Sequence, residues 1–303
     1  MKILIAGATG FIGRHLVKAL LKNNHELTIV GRSKPKIDTT FKKKIPAHSW
    51  KQLKDLSPKN FDAVINLSGE TISHIRWTKS IKKTIINSRI KATTNLIKWL
   101  LTSTKKTPHL YNASAVGVYG IESSNSSPPL TEDSLISPEQ NDFLSQVGRY
   151  WEESCQTATH ANYPVTILRF GVVMKNNEGF LKQLKPSFKL GLGAVLGSGE
   201  QMISWIHIND LTKAILFLLE RPTIKGPVNI CSPHPINQKS FAKWYAESLN
   251  RPLIFKLPKQ IIKLLFGEMG KELLLSGQNV YPEKLLSIGF KFDLPNIKQA
   301  LKK

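Results

Sequence analysis

A glycine-rich turn between a short apolar strand and an amphipathic helix opens the chain, and this feature constrains the fold most. Residues 2–6 form an apolar run that stops at Gly7, and apolar residues then recur at helical spacing from Phe11 to Lys22. A second strand is predicted at residues 26–30. This strand–turn–helix–strand unit spans about 30 residues, which is typical of a βαβ unit in a parallel sheet.

The turn has the spacing G-x-x-G-x-x-G. Glycines at this spacing allow a tight turn, close approach of the backbone to a pyrophosphate, and close packing of helix on strand. The phosphates would lie at the positive amino end of the helix. We therefore predict a dinucleotide site, with a purely structural turn as the alternative. The predicted contacts are Gly7, Thr9, Gly10, Phe11, Ile12 and Gly13.

The residues after the second strand indicate which dinucleotide binds. Sites for NAD place Asp or Glu about 20 residues beyond the turn, whereas this chain has Gly31, Arg32 and Ser33 there. A guanidinium and a hydroxyl bind a 2′-phosphate through charge-assisted hydrogen bonds. NADP is therefore the predicted cofactor, and a solvated arginine is the alternative.

A further strand at residues 61–66 is predicted to contribute to the same site. Ligands of doubly wound sheets lie beyond the carboxyl ends of the strands. Leu67, Ser68 and Gly69 are therefore expected to line the adenosine and ribose. The alternative is that Ser68 caps a helix and that Glu70 is a solvated acid.

Strands and helices alternate through the first half of the chain and beyond. Further elements are predicted at 61–66, 79–102, 108–113, 142–159 and 164–170. This alternation predicts an α/β fold of the Rossmann type, a doubly wound parallel sheet with helices on both faces.

The pattern changes after Val173. Glycines interrupt residues 176–202, which are expected to form a mobile loop region, and the polar residues 121–141 are expected to form an exposed loop. Later elements are predicted at 203–208, 210–220 and 228–231, followed by small helices. The predicted organisation is an NADP-binding domain of residues 1–175, to which 204–231 returns, and a smaller carboxy-terminal cap lobe of residues 176–203 and 232–303.

The chain is strongly basic, with 43 lysines and arginines against 21 acidic residues and a formal net charge of +22. Only eight of the 43 are arginines, although surfaces that bind nucleic acid favour arginine for bidentate contacts. A lysine-rich, solvated surface is the preferred interpretation, so neither nucleic acid nor a membrane is an expected partner. The alternative is an anionic partner, such as nucleic acid, a membrane surface or a phosphorylated substrate.

The two cysteines, Cys155 and Cys231, lie far apart and lack metal-ligand spacing. No disulfide framework and no metal site are expected, and a reducing compartment is favoured. No apolar stretch approaches the ~20 residues of a membrane span, and the apolar start is too short for a signal peptide. We therefore expect a cytoplasmic protein.

Several motifs together resemble the extended short-chain dehydrogenase/reductase superfamily, in its atypical branch labelled "epimerase family protein" or NAD-dependent epimerase/dehydratase-like. The motifs are GATGFIG at 7–13, NLSGE at 66–70, SAVGVYG at 114–120, RFGVV at 169–173, WIHIND at 205–210 and SGQ at 276–278. The resemblance implies an NADP-binding fold with a carboxy-terminal cap. It also implies that Arg89 and Val173 contact the cofactor, although a surface salt bridge is the alternative for Arg89.

The usual chemistry of that superfamily needs a Tyr with a Lys four residues later on one helix face. None of the six tyrosines has a Lys at that spacing, and the segment 142–148 contains neither residue. A phenol near its reference pKa of ~10 is a poor base at neutral pH. The remaining candidates are Ser114 as a substrate-orienting donor, Tyr119, and His207 as a proton shuttle. The structural alternatives are a serine that caps its own loop and a histidine that precedes a helix.

Two functions therefore remain open. The first is an NADP(H)-dependent oxidoreductase or epimerase-like enzyme that acts on a small molecule. The second is a non-catalytic NADP(H)-binding sensor or scaffold, which the missing Tyr–Lys pair favours. The sequence leaves the substrate and the oligomeric state undetermined.

Overall fold

The computed structural model describes residues 1–103, 107–121 and 128–303. Its strands are β1 (Lys2–Ala6), β2 (Glu26–Gly31), β3 (Ala47–Ser49), β4 (Ala63–Asn66), β5 (His109–Ala115), β6 (Val165–Phe170), β7 (Val172–Lys175), β8 (Ala194–Leu196), β9 (Met202–Ile203), β10 (Trp205–His207), β11 (Gly226–Ile230), β12 (Ile236–Asn237) and β13 (Phe255–Leu257). Its α-helices are α1 (Phe11–Lys22), α2 (Lys34–Thr40), α3 (Lys79–Leu100), α4 (Phe143–Glu153), α5 (Gln156–His160), α6 (Gly179–Lys189), α7 (Ile208–Leu219), α8 (Gln238–Ser248), α9 (Lys259–Met269), α10 (Glu283–Ser287) and α11 (Ile297–Ala300).

Seven strands form the central sheet, in the order β3-β2-β1-β4-β5-β6-β11. Every neighbouring pair in this sheet is parallel. The first six strands follow the Rossmann order 3-2-1-4-5-6, whose direction reverses between β1 and β4. The predicted α/β fold with a parallel, doubly wound sheet is confirmed. The reversal point places the ends of β1 and β4 side by side, where a ligand would bind.

Both faces of the sheet are buried, which explains why β1 is a continuous apolar run. Ile3 and Ile5 point to one face and pack in a cluster with residues of α1 and α7, including Leu16. Leu4 and Ala6 point to the other face and pack with residues of α3. Alternate residues of a strand face opposite sides, so a strand covered on both sides needs apolar residues throughout.

Outside the central sheet, three two-stranded pairs form, namely β10 with β7, β12 with β9, and β13 with β8. The predicted strand at 203–208 is therefore split between β9 and β10, which belong to different pairs. The predicted helix at 142–159 is likewise divided, because α4 ends at Glu153 and α5 begins at Gln156.

The expectation of a loop throughout residues 176–202 is wrong, because α6 occupies Gly179–Lys189. Leu181 and Phe188 of this helix are buried in a cluster with residues of α8 and α11. The glycines at 191, 193, 197 and 199 all follow the helix, so the density of glycine hid an amphipathic segment. Packing against α8 outweighs the unfavourable Pro186 inside α6.

Part of the predicted exposed loop at 121–141 falls on residues 122–127, which lie outside the described residues. Residues 128–141 lead to α4 and form an isolated parallel bridge between Leu130 and Val280. Among the helices that the structure describes, none is long and apolar enough to cross a bilayer.

Candidate active site at the carboxyl edge of the sheet

The glycine turn after β1 packs directly against the backbone that follows β4. Gly7 has φ +83°, and a Cβ added there would lie 2.5 Å from the carbonyl carbon of Leu67 and 2.8 Å from the amide nitrogen of Ser68. A Cβ at Gly13 would lie 2.5 Å from the carbonyl oxygens of Gly7 and Ala8. The first and third glycines are therefore required by close backbone contact, and the predicted segments 7–13 and 67–69 meet.

The amino end of α1 leaves backbone donors available at this turn. Gly10 is the N-cap of α1, and no side chain among the described residues caps the helix. The first helical acceptor is the Gly10 carbonyl, which binds the Arg14 amide at 3.0 Å. The amides of residues 11–13 precede the first full turn and have no helical acceptor. Together with the helix dipole, they form a cradle that suits a diphosphate.

The loop after β4 is shaped by a buried amide. The Asn66 side chain donates to Thr93 Oγ1 at 3.0 Å and to Asn112 Oδ1 at 2.7 Å, and its own Oδ1 accepts from the Ser68 amide at 3.1 Å. These three polar side chains are fully buried between β4, α3 and β5. This role of Asn66 was not predicted from the sequence, although a lone Asn at the end of an apolar strand is a signal for it.

Arg89 on α3 lies behind this loop. Its Nη1 donates to the carbonyl oxygens of Glu70 at 3.0 Å and of Ile85 at 2.9 Å, and its guanidinium lies 4.8 Å from the centre of the Trp151 ring. Burial lowers the pKa of Arg89 to about 10. Its buried Nε has no partner among the described residues, and an orphaned donor of this kind fits a site for a polar ligand.

Glu70 connects the two predicted cofactor arginines. Arg32 Nη1 lies 3.3 Å from Glu70 Oε2, and the Arg32 side chain is 80% exposed. The Glu70 carbonyl accepts from Arg89, and the Glu70 amide binds Ser88 Oγ at 2.9 Å. Glu70 is therefore more than a solvated acid. Its carboxylate is paired with the Arg32 guanidinium, which was predicted to bind the 2′-phosphate.

The remaining predicted cofactor residues lie after β2, in the turn, or against the core. Ser33 caps α2 and accepts from the Lys36 amide at 3.3 Å, which leaves the hydroxyl proton free to donate. Half-buried Gly31 would bring a Cβ to 3.1 Å from the Ile37 side chain. The Thr9 carbonyl accepts from Arg14 at 3.1 Å. Four predicted residues are partly buried and each packs against the same hydrophobic core cluster, namely Phe11, Ile12, Leu67 and Val173.

Ser114 and Tyr119 lie at the end of β5, but both hydroxyls are used inside the protein. Ser114 Oγ donates to Glu152 Oε1 at 2.7 Å, and the same carboxylate accepts from Arg169 Nε at 2.9 Å and Nη2 at 2.8 Å. Arg169 Nη1 donates to the Tyr119 hydroxyl at 2.8 Å. These four residues form one buried network that connects β5, α4 and β6.

The Tyr119 hydroxyl is further occupied by Asn229. It lies 2.9 Å from Asn229 Oδ1 and 2.8 Å from the Thr131 carbonyl oxygen. Burial raises the pKa of Tyr119 to about 12. A phenol with this pKa holds its proton at neutral pH, so the network favours a structural use of Tyr119 over proton transfer.

Apolar residues occupy the helix face where a Tyr–Lys pair would stand. Phe143 and Val147 lie four residues apart at the start of α4 and are buried in a cluster with Trp77. The rings of Phe143 and Trp77 are 4.8 Å apart. Glu272, from the segment after α9, accepts from the amides of Phe143 at 2.9 Å and Leu144 at 3.0 Å. This segment therefore closes the amino end of α4.

His207 is fully buried at the amino end of α7. Its Nδ1 accepts from the Asn209 amide at 3.2 Å, while its Nε2 has no partner among the described residues. Burial is the main cause that lowers the pKa of His207 to about 4, with smaller contributions from Lys175 and His15. The imidazole is therefore neutral at physiological pH. No described hydrogen bond joins it to Ser114 or Tyr119.

Comparison with known proteins gives two matches to protein families. The family model described as NAD dependent epimerase/dehydratase family matches residues 3–231. A model described as a domain of unknown function, DUF1731, matches residues 257–303. The boundary between the two matches lies between β11 and α9.

Similar proteins cover nearly the whole chain. An epimerase family protein of Staphylococcus aureus strain MRSA252 is 35% identical over 98% of this chain and 97% of its own length. A crystal structure of a human epimerase family protein with NADPH is 30% identical, with a TM-score of 0.85 over 100% of this chain and 98% of that one. A nucleoside-diphosphate sugar epimerase from Corynebacterium glutamicum is 27% identical, with a TM-score of 0.76 over 99% of this chain and 57% of that one.

Proposed function

We propose, because the chain belongs to the NAD dependent epimerase/dehydratase family, that it binds NADP(H) and acts as an oxidoreductase or epimerase-like enzyme on a small molecule. The observation that carries the cofactor proposal is the contact between the turn at 7–13 and the backbone at 67–69. The human relative, which is 30% identical, was solved with NADPH. The NADPH in that structure supports the phosphorylated dinucleotide for this chain.

Each part of the site has a defined task in this proposal. The amides of residues 11–13 hold the diphosphate at the positive end of α1. Arg32 binds the 2′-phosphate, helped by the Ser33 hydroxyl, after it exchanges the Glu70 carboxylate for phosphate. The cofactor, when bound, supplies hydride chemistry. Arg89 and the loop at 67–69 position the ribose beside the orphaned Nε.

Ser114, Tyr119 and His207 remain the proposed reactive residues. For Ser114 to polarise a substrate oxygen, its hydroxyl must break the 2.7 Å hydrogen bond that it donates to Glu152. For His207 to move a proton, its pKa must rise from about 4 towards neutrality when substrate binds. Both requirements are specific, and both are measurable in single variants.

Calorimetric titration with NADPH and NADH tests the cofactor proposal. We expect NADPH to bind tighter, and we expect Arg32→Asp to weaken NADPH binding by about 100-fold, because a charge-assisted contact is replaced by repulsion. Arg221→Asp makes the same charge change at a half-buried arginine just after the end of α7, whose guanidinium packs on Phe217, and should leave both affinities unchanged. Equal affinity for the two dinucleotides would refute the specificity, and no binding of either would refute the proposal.

A second function is favoured by the engaged hydroxyls of Ser114 and Tyr119. A protein that binds NADP(H) without turnover, as a sensor or scaffold, would keep both hydroxyls in the Glu152–Arg169 network. Stopped-flow measurement of hydride transfer with carbonyl, enoyl and sugar-nucleotide panels separates the two functions. Turnover that disappears in Ser114→Ala, with NADPH affinity retained, would exclude the non-catalytic function.

A further inference from the structure

Exposed apolar side chains concentrate in two segments of the chain. Seven of the thirteen exposed large hydrophobic residues among those described lie in two segments, 179–199 and 248–267. They are Leu190, Leu192, Ile254, Phe255, Ile261, Leu264 and Leu265, and we call them the cap face. Leu190, Ile254 and Leu264 are at least 75% exposed. Clustered exposure of this kind marks an interaction surface more often than scattered exposure does.

The two segments lie side by side. β8 and β13 pair in parallel, with Phe255 opposite Ala194, so Leu192 and Ile254 each lie just before a paired strand. α9 begins two residues after β13 ends. The Lys259 Cβ also lies 4.0 Å from the position of a Cβ added at Gly197, which brings the start of α9 to the β8 side.

Helix α9 carries two apolar stripes, and only one of them is packed. Ile262 is buried and Phe266 is half-buried, four residues apart on the inner side, and Gly267, at φ +58°, interrupts the helix before the buried Met269. Ile261, Leu264 and Leu265 follow the i, i+3, i+4 spacing of a second stripe and are 43%, 77% and 50% exposed. The packed stripe is enough to hold α9 on the fold, so the second stripe is available to a partner.

The cap face lies in segments with an excess of basic residues. Residues 178–200 and 247–268 contain seven basic and four acidic residues, and two of the acids are already paired, Glu178 with Arg14 and Glu268 with Lys82. The basic residues are Lys182, Lys185, Lys189, Arg251, Lys256, Lys259 and Lys263. Lysines 256, 259 and 263 are exposed beside the apolar stripe. A partner for this surface must accept aliphatic groups and carry negative charge.

We propose that the cap face docks on an anionic lipid surface. The aliphatic side chains would enter the boundary between headgroups and acyl chains, and the lysines would bind lipid phosphates. A second copy of the chain would bring two strongly positive surfaces together, which repulsion disfavours. Nucleic acid would satisfy the lysines but leave the aliphatic stripe in water. The proposal takes up the alternative of an anionic membrane surface, in place of the preferred expectation of a solvated, lysine-rich surface without a membrane partner.

Vesicle flotation of the full chain tests the proposal. We expect binding to vesicles of phosphatidylglycerol and phosphatidylcholine, weak binding to pure phosphatidylcholine, and release as salt rises. Leu264→Glu combined with Leu265→Glu should weaken binding by about tenfold or more, because two buried aliphatic groups are lost. Lys259→Gln combined with Lys263→Gln should reduce only the preference for anionic vesicles.

The matched control is Leu135→Glu, which makes the same change at a side chain that is 96% exposed and lies outside the cap face. It should bind vesicles as the unchanged chain does. Circular dichroism confirms that each variant is folded. The proposal is overturned if anionic vesicles are not bound, if the double Leu variant binds as well as Leu135→Glu, or if light scattering shows a dimer that the double Leu variant dissociates.

Discussion

The turn after β1 and the end of β5 lie on the same edge of one sheet, yet they treat polar groups in opposite ways. At the turn, the amides of residues 11–13 precede the helical ladder and no described side chain caps them. At β5, the hydroxyls of Ser114 and Tyr119 are both bound within a buried network. The first region leaves backbone donors available for a ligand. In the second region, the hydroxyls are already hydrogen-bonded within the protein.

This contrast separates binding from catalysis in physical terms. A cradle of backbone amides needs only glycines at positions where a Cβ cannot fit, so it survives changes in most side chains. A catalytic hydroxyl must stay free of strong internal partners or exchange them when substrate arrives. The geometry therefore supports cofactor binding more strongly than it supports any particular reaction.

The largest expected effect comes from filling the glycine turn. Gly7→Ala should lower the free energy of unfolding by about 4 kcal/mol, because φ +83° disfavours a side chain and the new Cβ would overlap the Leu67 carbonyl. Gly10→Ala is the matched control, since its Cβ would meet nothing closer than 3.4 Å. Gly10→Ala should lower the free energy of unfolding by less than about 1 kcal/mol. Urea unfolding measures both, and similar values would mean that the turn is not tightly packed.

The second effect tests whether the β5 network is structural. Glu152→Gln removes the charge that Arg169 faces at 2.8 Å, with both side chains largely buried. Because the Arg169 guanidinium is left without its counterion, the free energy of unfolding should fall by about 3 kcal/mol. Glu26→Gln changes an exposed pair with Lys2 at 3.8 Å and should alter stability by less than about 0.5 kcal/mol. Unchanged stability with lost turnover would instead place Glu152 in the reaction.

The sequence predicted the glycine turn after β1 because the signals for it are local. Gly7, Gly10 and Gly13 are close in the chain, and their spacing alone predicts the turn that the structure shows. The apolar alternation likewise predicted the parallel sheet. The prediction for 176–202 was wrong because glycines interrupt the helical periodicity of this segment. Helix α6 is stabilised by packing against α8 rather than by its own sequence.

The β5 network could not be read from the chain because its members are distant in sequence. Ser114, Glu152 and Arg169 come from three elements and meet only when β5, α4 and β6 pack. The pairing of Glu70 with Arg32 could not be predicted for the same reason, since the two residues are 38 positions apart in the sequence. Local propensity contains no information about such pairs, so an exposed acid and a solvated arginine were reasonable alternatives.

A third prediction concerns the titration of His207. Its pKa is about 4 in the folded protein against 6.5 for a free imidazole, so the unfolded chain binds more protons between these values. The stabilising contribution is therefore complete above pH 6.5 and is lost as the pH falls towards 4. His207→Asn keeps an N-cap acceptor and should remove about 2 kcal/mol of this acid sensitivity.

Comparing urea unfolding of the two proteins from pH 7 to 4 isolates His207. Opposite contributions come from Glu132, Asp210 and Glu272, whose pKa values burial raises, and they cancel in the difference. If the free energy of unfolding varied with pH in the same way in the unchanged chain and in His207→Asn, a neutral, buried imidazole would be contradicted. That result would instead favour a histidine that titrates near neutrality, as a proton shuttle requires.

The smallest expected effect sharpens the account of the cofactor side. Arg32 is already paired with Glu70 at 3.3 Å, so a 2′-phosphate must displace a carboxylate and then lie close to it. Glu70→Gln removes both the competition and the repulsion while it leaves the Glu70 carbonyl, and thus the Arg89 contact, in place. NADPH affinity should rise about threefold, which corresponds to a surface ion pair of a few tenths of a kcal/mol.

NADH affinity serves as the internal control for that variant, because NADH carries no 2′-phosphate. It should stay unchanged in Glu70→Gln, so the preference for NADPH should widen by the same factor. A fall in NADPH affinity would show that the carboxylate orients Arg32 towards the phosphate instead of competing with it. Glu70 would then belong to the binding cradle, and the fully used network at β5 would have a counterpart on the cofactor side.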